Sequence, residues 1–297
     1  MLRVSRSEFR TSNLASHIEP RILYLEYIFG FIFASFSETI NVEKEGIIYY
    51  GTSGLVVPVS KAFYPPAFED KSRLQYYASL FNSIEINSSF YKLPMAATVK
   101  KWAESVPEDF RFTFKISKTI THVKNLEYSK EDIIKFMETV SYAENKKGCL
   151  LIQFPPGLQR DFVKLNEFFS DIREVDRNSE WKIAIEYRHN SWYHEKIYRL
   201  MEQHQAALVM HDLPASSPPA DEYESEILYL RFHGPGGKYR GSYEDDFLHE
   251  YSYYIREWQE QGKTVYVYFN NTMGDALKNL NTLRDFIWEL RMKSACS

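Results

Sequence analysis

From Ile47 onward, short apolar runs alternate with longer segments of helical period, and that alternation limits the fold more than any other feature of the 297 residues. The apolar runs have strand length, and the helical segments between them are the crossovers that parallel strands require. Eight strands are predicted, at 47–51, 82–86, 111–116, 149–154, 182–186, 206–211, 227–232 and 264–269. Helices are predicted at 72–80, 97–106, 130–145, 162–174, 195–204, 244–261 and 274–290. The sixth connection, Leu213 to Glu226 with its PASSPPADEY run, lacks a regular helix because prolines and serines interrupt propagation. The expected fold is α/β, a closed parallel (β/α)8 TIM-like barrel over 47–290, since closure leaves no edge strand to protect. Residues 291–297 read as a C-terminal tail.

Local signals mark several helix ends. Ser129 ahead of Glu131 and Asp132, and Asp161 ahead of Phe162, are placed to start helices. Gly148 and Gly262 stand before strands four and eight and read as residues that close the preceding helices.

Charge and cysteine content narrow the setting. With 36 Lys+Arg against 40 Asp+Glu the net charge is −4, so neither bulk nucleic-acid binding nor a membrane partner is expected, although a local cationic pocket is compatible with that balance. Cys149 and Cys296 cannot staple a secreted domain, and a reducing, cytoplasmic location is expected. Residues 22–36 (ILYLEYIFGFIFASF) are apolar apart from Glu26 and follow Arg3, Arg6, Arg10 and Arg21, but a spanning helix needs about 20 apolar residues. A signal peptide would carry neither so long a polar lead nor a glutamate near its apolar region. Residues 1–46 are therefore read as an N-terminal extension, either an added element covering the main domain or, as favoured here, a translated upstream segment foreign to the native protein. No pattern speaks to oligomeric state.

Strand parity then locates a site. Alternate side chains of a strand face opposite sides, so where one set is apolar and meets the helices, the other points into the barrel. Strand two sends Ser83, Glu85 and Asn87 inward, and strand three sends Arg111, Thr113 and Lys115. Strand five contributes Ala184, Glu186 and Arg188, strand seven Tyr229, Arg231 and His233, and strand eight Tyr266, Tyr268 and Asn270. Gln153 ends strand four, and His211 and Asp212 end strand six with ambiguous parity. These polar residues gather at C-terminal strand ends, where barrel enzymes carry their chemistry. Charged groups so close together must pair or meet a ligand, because isolated burial costs several kcal/mol.

Loop residues extend the candidate list. Arg231 to Gly241 (RFHGPGGKYRG) leaves strand seven as a glycine-rich loop, and loops after strands seven and eight often hold phosphate through backbone N–H groups and cations. Gly236, Gly237 and Lys238 are its candidate anion contacts, with a plain glycine-rich turn as the competing reading. It is not a Walker loop. His122, in TITHV, is a candidate mobile-loop acid or base. Tyr91 after strand two and Trp192 after strand five are candidates for stacking a sugar or base, against the commoner alternative of packing under the loops. The H-E-x-x-H, C-x-x-C and G-x-S-x-G patterns are absent. Glu85, Glu186, His211, Asp212 and His233 have the right donor types for a metal, but their spacing does not demand one and three nearby cations oppose it. No cofactor is expected, a divalent metal being the lesser alternative.

Eight motifs, in order, carry a resemblance: GTSG (51–54), FYPP (63–66), EINSSFY (85–91), FKISKTITH (114–122), LIQFPP (151–156), EYRHNSW (186–192), RFHGP (231–235) and YFNN (268–271). Together they resemble the DUF72 family, also called the YecE family, from about Ile47 to Leu290. The resemblance implies a TIM-barrel-like fold and no particular reaction. One departure is Leu55, where the family usually has an aromatic directly after TSG, so a stacking role does not transfer to that position. From the residues themselves, the expected function is an enzyme acting by acid/base chemistry on a small anionic, phosphorylated or sugar-like substrate. Glu85, Glu186 and His233 would be catalytic, the two glutamates dividing acid and base work. Lys115, Arg188 and Arg231 would hold the anion, with Asn87, Gln153, Asp212 and Asn270 also lining the site. The alternatives are a binding module for a nucleotide, nucleic-acid end or metabolite, and a metal-dependent hydrolase or isomerase.

Overall fold

The computed structural model describes residues 45–219 and 223–295. The apolar stretch at 22–36, its preceding arginines and Cys296 lie outside the described residues. Eight parallel strands form the sheet: β1 (Ile48–Thr52), β2 (Ser83–Ile86), β3 (Arg111–Lys115), β4 (Lys147–Gln153), β5 (Lys182–Glu186), β6 (Ala206–His211), β7 (Ile227–Phe232) and β8 (Thr264–Phe269). Around it, among the described residues, lie seven helices of eight residues or more. They are α1 (Arg73–Leu80), α2 (Ala96–Glu104), α3 (Lys130–Ser141), α4 (Phe162–Val175), α5 (Glu195–Gln203), α6 (Asp245–Glu260) and α7 (Ala276–Ala295). The sixth connection carries only the 3-10 turn Pro214–Ser216 among its described residues. The segment read as a tail from 291 instead prolongs α7 to Ala295, because no glycine or proline stops it.

Strands run in the order β1-β8-β7-β6-β5-β4-β3-β2, and the circle is nearly closed. Between β1 and β2 an isolated bridge pairs Ser53 with Glu85, and side chains replace the missing ladder. Asn82 accepts from Tyr50 N at 2.9 Å and donates to Ile48 O at 2.8 Å. Tyr77 Oη accepts from Thr52 N at 2.7 Å and donates to Ser83 O at 3.1 Å. The approach is so close that a Cβ on Gly51 would lie 2.0 Å from Ser83 O.

Asp161 caps α4 through Lys164 N, as expected, whereas the Ser129 hydroxyl turns to Glu131 instead of the backbone. Gly262 has φ +77° just beyond α6, the left-handed position that ends a helix. Gly148 has a different role from the one expected: it is the second residue of β4, and a Cβ there would meet Phe112 O at 2.9 Å, so its lack of a side chain lets β4 approach β3.

Two separate cores result. One lies between sheet and helices, with Phe112, Phe114, Ile183, Ile185, Val265 and Val267 on the strand side. The other fills the barrel and is unusually rich in tyrosine, with Tyr49, Tyr229, Tyr266 and Tyr268 beside Cys149 and Leu151. Their rings pack together, Tyr49 stacked on Tyr266 at 4.9 Å and Tyr229 tilted against Tyr268 at 5.2 Å. The Tyr268 hydroxyl is held by Ser83 at 2.5 Å and Thr113 at 2.8 Å. Tyrosine suits this place because its ring fills volume while its hydroxyl satisfies polar neighbours.

Candidate functional site

Above the tyrosine layer the lumen becomes charged. Arg231, on the inner face of β7 and only 1% exposed, lies between carboxylates from β2 and β5. Its Nη2 donates to Glu85 Oε1 at 2.8 Å and its Nε lies 3.0 Å from Glu85 Oε2, while Nη1 donates to Glu186 Oε2 at 3.0 Å. Tyr229, one layer below, donates to Glu85 Oε2 at 2.5 Å. Glu186 is shared with Arg188, two residues along the same strand face, whose guanidinium donates to Oε1. Burial pushes the Glu85 carboxyl up, but Arg231 outweighs it and the net shift is down. Burial raises Glu186 likewise, yet Arg231 and then Arg188 hold it well below the usual range. Both groups are therefore carboxylates near neutral pH. Each faces a guanidinium, which favours the charged form of both.

His233 sits beside this floor. Its Nδ1 lies 3.1 Å from Asp212 Oδ1, which also accepts from His233 N at 2.8 Å. Asp212 is fixed further by the Tyr243 hydroxyl, and Gly234 N donates to that hydroxyl at 2.5 Å. With Nδ1–H given to Asp212, Nε2 accepts from Arg231 Nη1 at 2.9 Å and Arg188 Nη2 at 3.2 Å. Burial lowers the His233 pKa despite Glu186 and Asp212, so the ring is a neutral acceptor.

Across the mouth, Lys115 ends β3. It is 9% exposed, donates to Gln153 Oε1 at 2.7 Å, and rests 4.2 Å from the Phe90 ring centroid. Among the described residues no carboxylate lies within ion-pairing distance of Nζ. Burial, reinforced by Arg231, brings its pKa down to about 8. Gln153 Nε2 lies 3.5 Å from His122 Nε2, and burial takes His122 down to about 4. His122 follows the helical turn Lys118–Thr121, which places the ring edge-on to Phe90 at 4.8 Å.

The remaining candidates divide. Asn87 joins the floor through Arg231 Nη2 at 3.4 Å, and Asn270, one residue past β8, is 7% exposed. Tyr91 stands on the rim, 72% exposed. Trp192 is not brought to the mouth: it is fully buried, stacked on Tyr187 at 4.9 Å, with its indole N–H donating to Leu158 O. Its position lies beyond the strand, where parity no longer governs direction. The glycine-rich loop satisfies several N–H groups internally, Gly237 N on Gly234 O and Tyr239 N on His233 O, each at 2.7 Å. Gly236 and Gly237 take positive φ, and Lys238 is exposed, so the loop is a tight turn that brings Tyr243 back to Asp212. Tyr229 and Tyr243 are site neighbours not included among the candidates above, and His211, named above only as a possible metal donor, has its ring 5.9 Å from that of His233. Parity already placed Tyr229 inward; Tyr243 gave no signal, because its role depends on how the loop returns. His211 Nε2 lies 3.1 Å from Tyr187 O.

Clefts elsewhere lack this convergence. One of about 430 Å³ opens at the N-terminal ends of the strands, beside Lys182, Ile227 and Lys263. Among the described residues no set of three His, Cys, Asp or Glu side chains is placed to hold a metal ion, and no helix is long and apolar enough to cross a membrane.

Comparisons with known proteins agree with this architecture. The UPF0759 protein YunF of Bacillus subtilis (strain 168) is 29% identical over 265 residues, covering 78% of this chain and 92% of YunF. The UPF0759 protein YecE of Escherichia coli (strain K12) is 29% identical over 121 residues, 40% of this chain and 43% of YecE. Among solved structures, a DUF72 family protein from Enterococcus faecalis V583 superposes with TM-score 0.67 at 24% identity, covering 81% of this chain and 95% of its own. One from Thermotoga maritima MSB8 gives 0.62 at 25% identity, covering 81% and 99%. The family model described as "Protein of unknown function DUF72" matches residues 49–293. With eight parallel strands, a nearly closed barrel and that match across most of its length, the chain belongs to the DUF72 family.

Proposed function

We propose that the barrel mouth binds a small anionic molecule, phosphorylated or sugar-like, and acts on it by acid/base chemistry without a resident metal or cofactor. The observation that carries this reading is a paired floor beside two cations that keep donor capacity to spare. Arg231 is fully engaged by Glu85 and Glu186, whereas Lys115 meets only an amide oxygen and Arg188 Nη1 has no protein acceptor among the described residues. Two donors so placed suit an oxyanion entering from the mouth.

The floor keeps them there. Glu85 and Glu186 act as anchors that hold Arg231 and Arg188 in place, a change from the catalytic parts first expected of them. Proton transfer falls to Lys115, whose pKa burial brings down to about 8, while His233, with Nε2 accepting from Arg231 and Arg188, orients the two guanidiniums. Glycoside cleavage through a carboxyl pair has little support, because it needs one carboxyl protonated.

Arg188→Gln tests the reading, since it removes the half-open cation and leaves the buried Arg231 pairs intact. Calorimetric titration with inorganic phosphate and a phosphoester and sugar-phosphate panel should show salt-sensitive binding weakened roughly tenfold or more in the variant, as loss of a charge-assisted contact implies. No binding by the unaltered protein, or equal affinity in both, would reject it. Binding that survives with no turnover across the panel would favour a binding module over an enzyme.

A further inference from the structure

Lys115 is placed differently from the other mouth cations. Arg231 and Arg188 each contact a carboxylate, but the Lys115 amine faces the Gln153 amide oxygen and the Phe90 ring. Its side chain leaves β3 on the inner face, and Ser89 Oγ donates to Lys115 O at 2.7 Å, fixing the backbone beneath it. The amine is almost covered, and among the described residues no carboxylate forms a salt bridge with it. Anions require only a charge. An amine lodged against an aromatic face, next to two guanidiniums that repel its proton, is also suited to adding to carbon.

We infer that Lys115 is a nucleophile that forms an imine with the carbonyl carbon of an anionic aldehyde or ketone whose charged end is held by Arg188. This rests on the anion-binding reading above and sharpens it to a substrate class. The Nζ lone pair forms a C–N bond while the carbonyl π bond breaks toward oxygen. Both amine protons leave with that oxygen as water, and a C=N bond remains. Uptake of one proton from solvent gives the iminium, which draws electrons from the adjacent carbon. Gln153, which accepts from the amine at 2.7 Å, is itself 3.5 Å from His122 Nε2, so a polar pair stands next to the reacting nitrogen. Depression of the Lys115 pKa to about 8 raises the share of neutral amine at neutral pH by roughly two orders of magnitude over an ordinary lysine.

Borohydride trapping tests the inference on the intact chain, because hydride addition to the C=N carbon leaves a stable secondary amine of known mass. Glyoxylate, pyruvate and glyceraldehyde 3-phosphate serve as probes, with peptide mapping to locate the adduct. The expected result is modification of Lys115 roughly tenfold or more faster than of exposed Lys238 or Lys118, rising with pH around 8 and suppressed by excess inorganic phosphate. Lys115→Arg should abolish the fast adduct. Adducts on surface lysines alone, or Lys115 modified no faster than Lys238, would overturn the imine. If phosphate binding persists in that case, the anion site stands without the covalent step; if it is absent too, both readings fall. The measurement on the unaltered protein decides the matter even where Lys115→Arg fails to fold.

Discussion

Arg231 shows how a single residue can organise a charged interior. A lone guanidinium or a lone carboxylate in the lumen would be several kcal/mol unfavourable, but here one cation answers two anions and Tyr229 satisfies a further lone pair. The grouping is therefore unequal in its dependence on its members. Arg231→Met leaves Glu85 and Glu186 facing each other with Arg188 as the remaining counterion, and a loss of about 3–5 kcal/mol is expected, as for other broken buried pairs. Glu85→Gln should be milder, because Arg231 keeps Glu186 and the amide oxygen can still accept from Tyr229. Urea denaturation of the two variants checks the order through a lower midpoint at unchanged slope. Equal losses would mean that Arg231 is not the shared counterion.

At the level of elements, the β1–β2 seam is where the barrel departs from a regular ladder. Asn82 there imitates a strand residue, giving one acceptor and one donor to β1. Asn82→Ala should leave Tyr50 N and Ile48 O without protein partners, at about 1–3 kcal/mol. Hydrogen exchange should quicken at Tyr50 while amides shared by β7 and β8 stay protected; uniform acceleration would point to global loss instead. The seam also shows what pattern reading can reach. The last four predicted strands coincide with those observed, because Ile, Leu and Val mark their shell faces so regularly. The predicted strand two opens at Asn82, although Asn82 stands just before the strand and pairs through its side chain. The single-turn helices Ser88–Tyr91 and Lys118–Thr121 escaped notice since four residues are too few to display a helical period. Candidate residues were legible on strands and within two residues of their ends, as Arg188 and His233 show. Trp192 and the glycine-rich loop were not, because farther past a strand end direction is set by packing.

Across the whole molecule, the buried ionisable groups should give stability a steep dependence on pH, and its sign follows from their shifts. Burial lowers His211 and His122 to about 4, so between there and the ordinary value near 6.5 the unfolded chain holds more protons than the folded one. Stability then rises with pH through that window and is lost on acidification across it. Glu85, Glu186 and Asp212 are lowered as well, so their contribution is present above the ordinary carboxylate range and disappears as pH falls through their folded values. Lys115 acts in the same direction at higher pH: with its pKa at about 8, the unfolded state holds the extra proton up to about 10.5 and stability increases over that interval. Tyrosines reverse the trend. Burial raises Tyr77, Tyr229 and Tyr268, so above about pH 10 the folded state keeps protons that the unfolded state releases, and stability declines. Thermal unfolding followed from pH 4 to 11 should therefore show a rising limb to about 7, a broad maximum between 8 and 10 and a fall beyond. His211→Gln should flatten the acid limb between about 4 and 6.5 by up to about 3 kcal/mol, leaving the alkaline limb unchanged. A maximum near pH 5, with stability falling through neutrality, would mean that the lumen holds its histidines charged and that the neutral His233 acceptor assigned to the mouth is wrong.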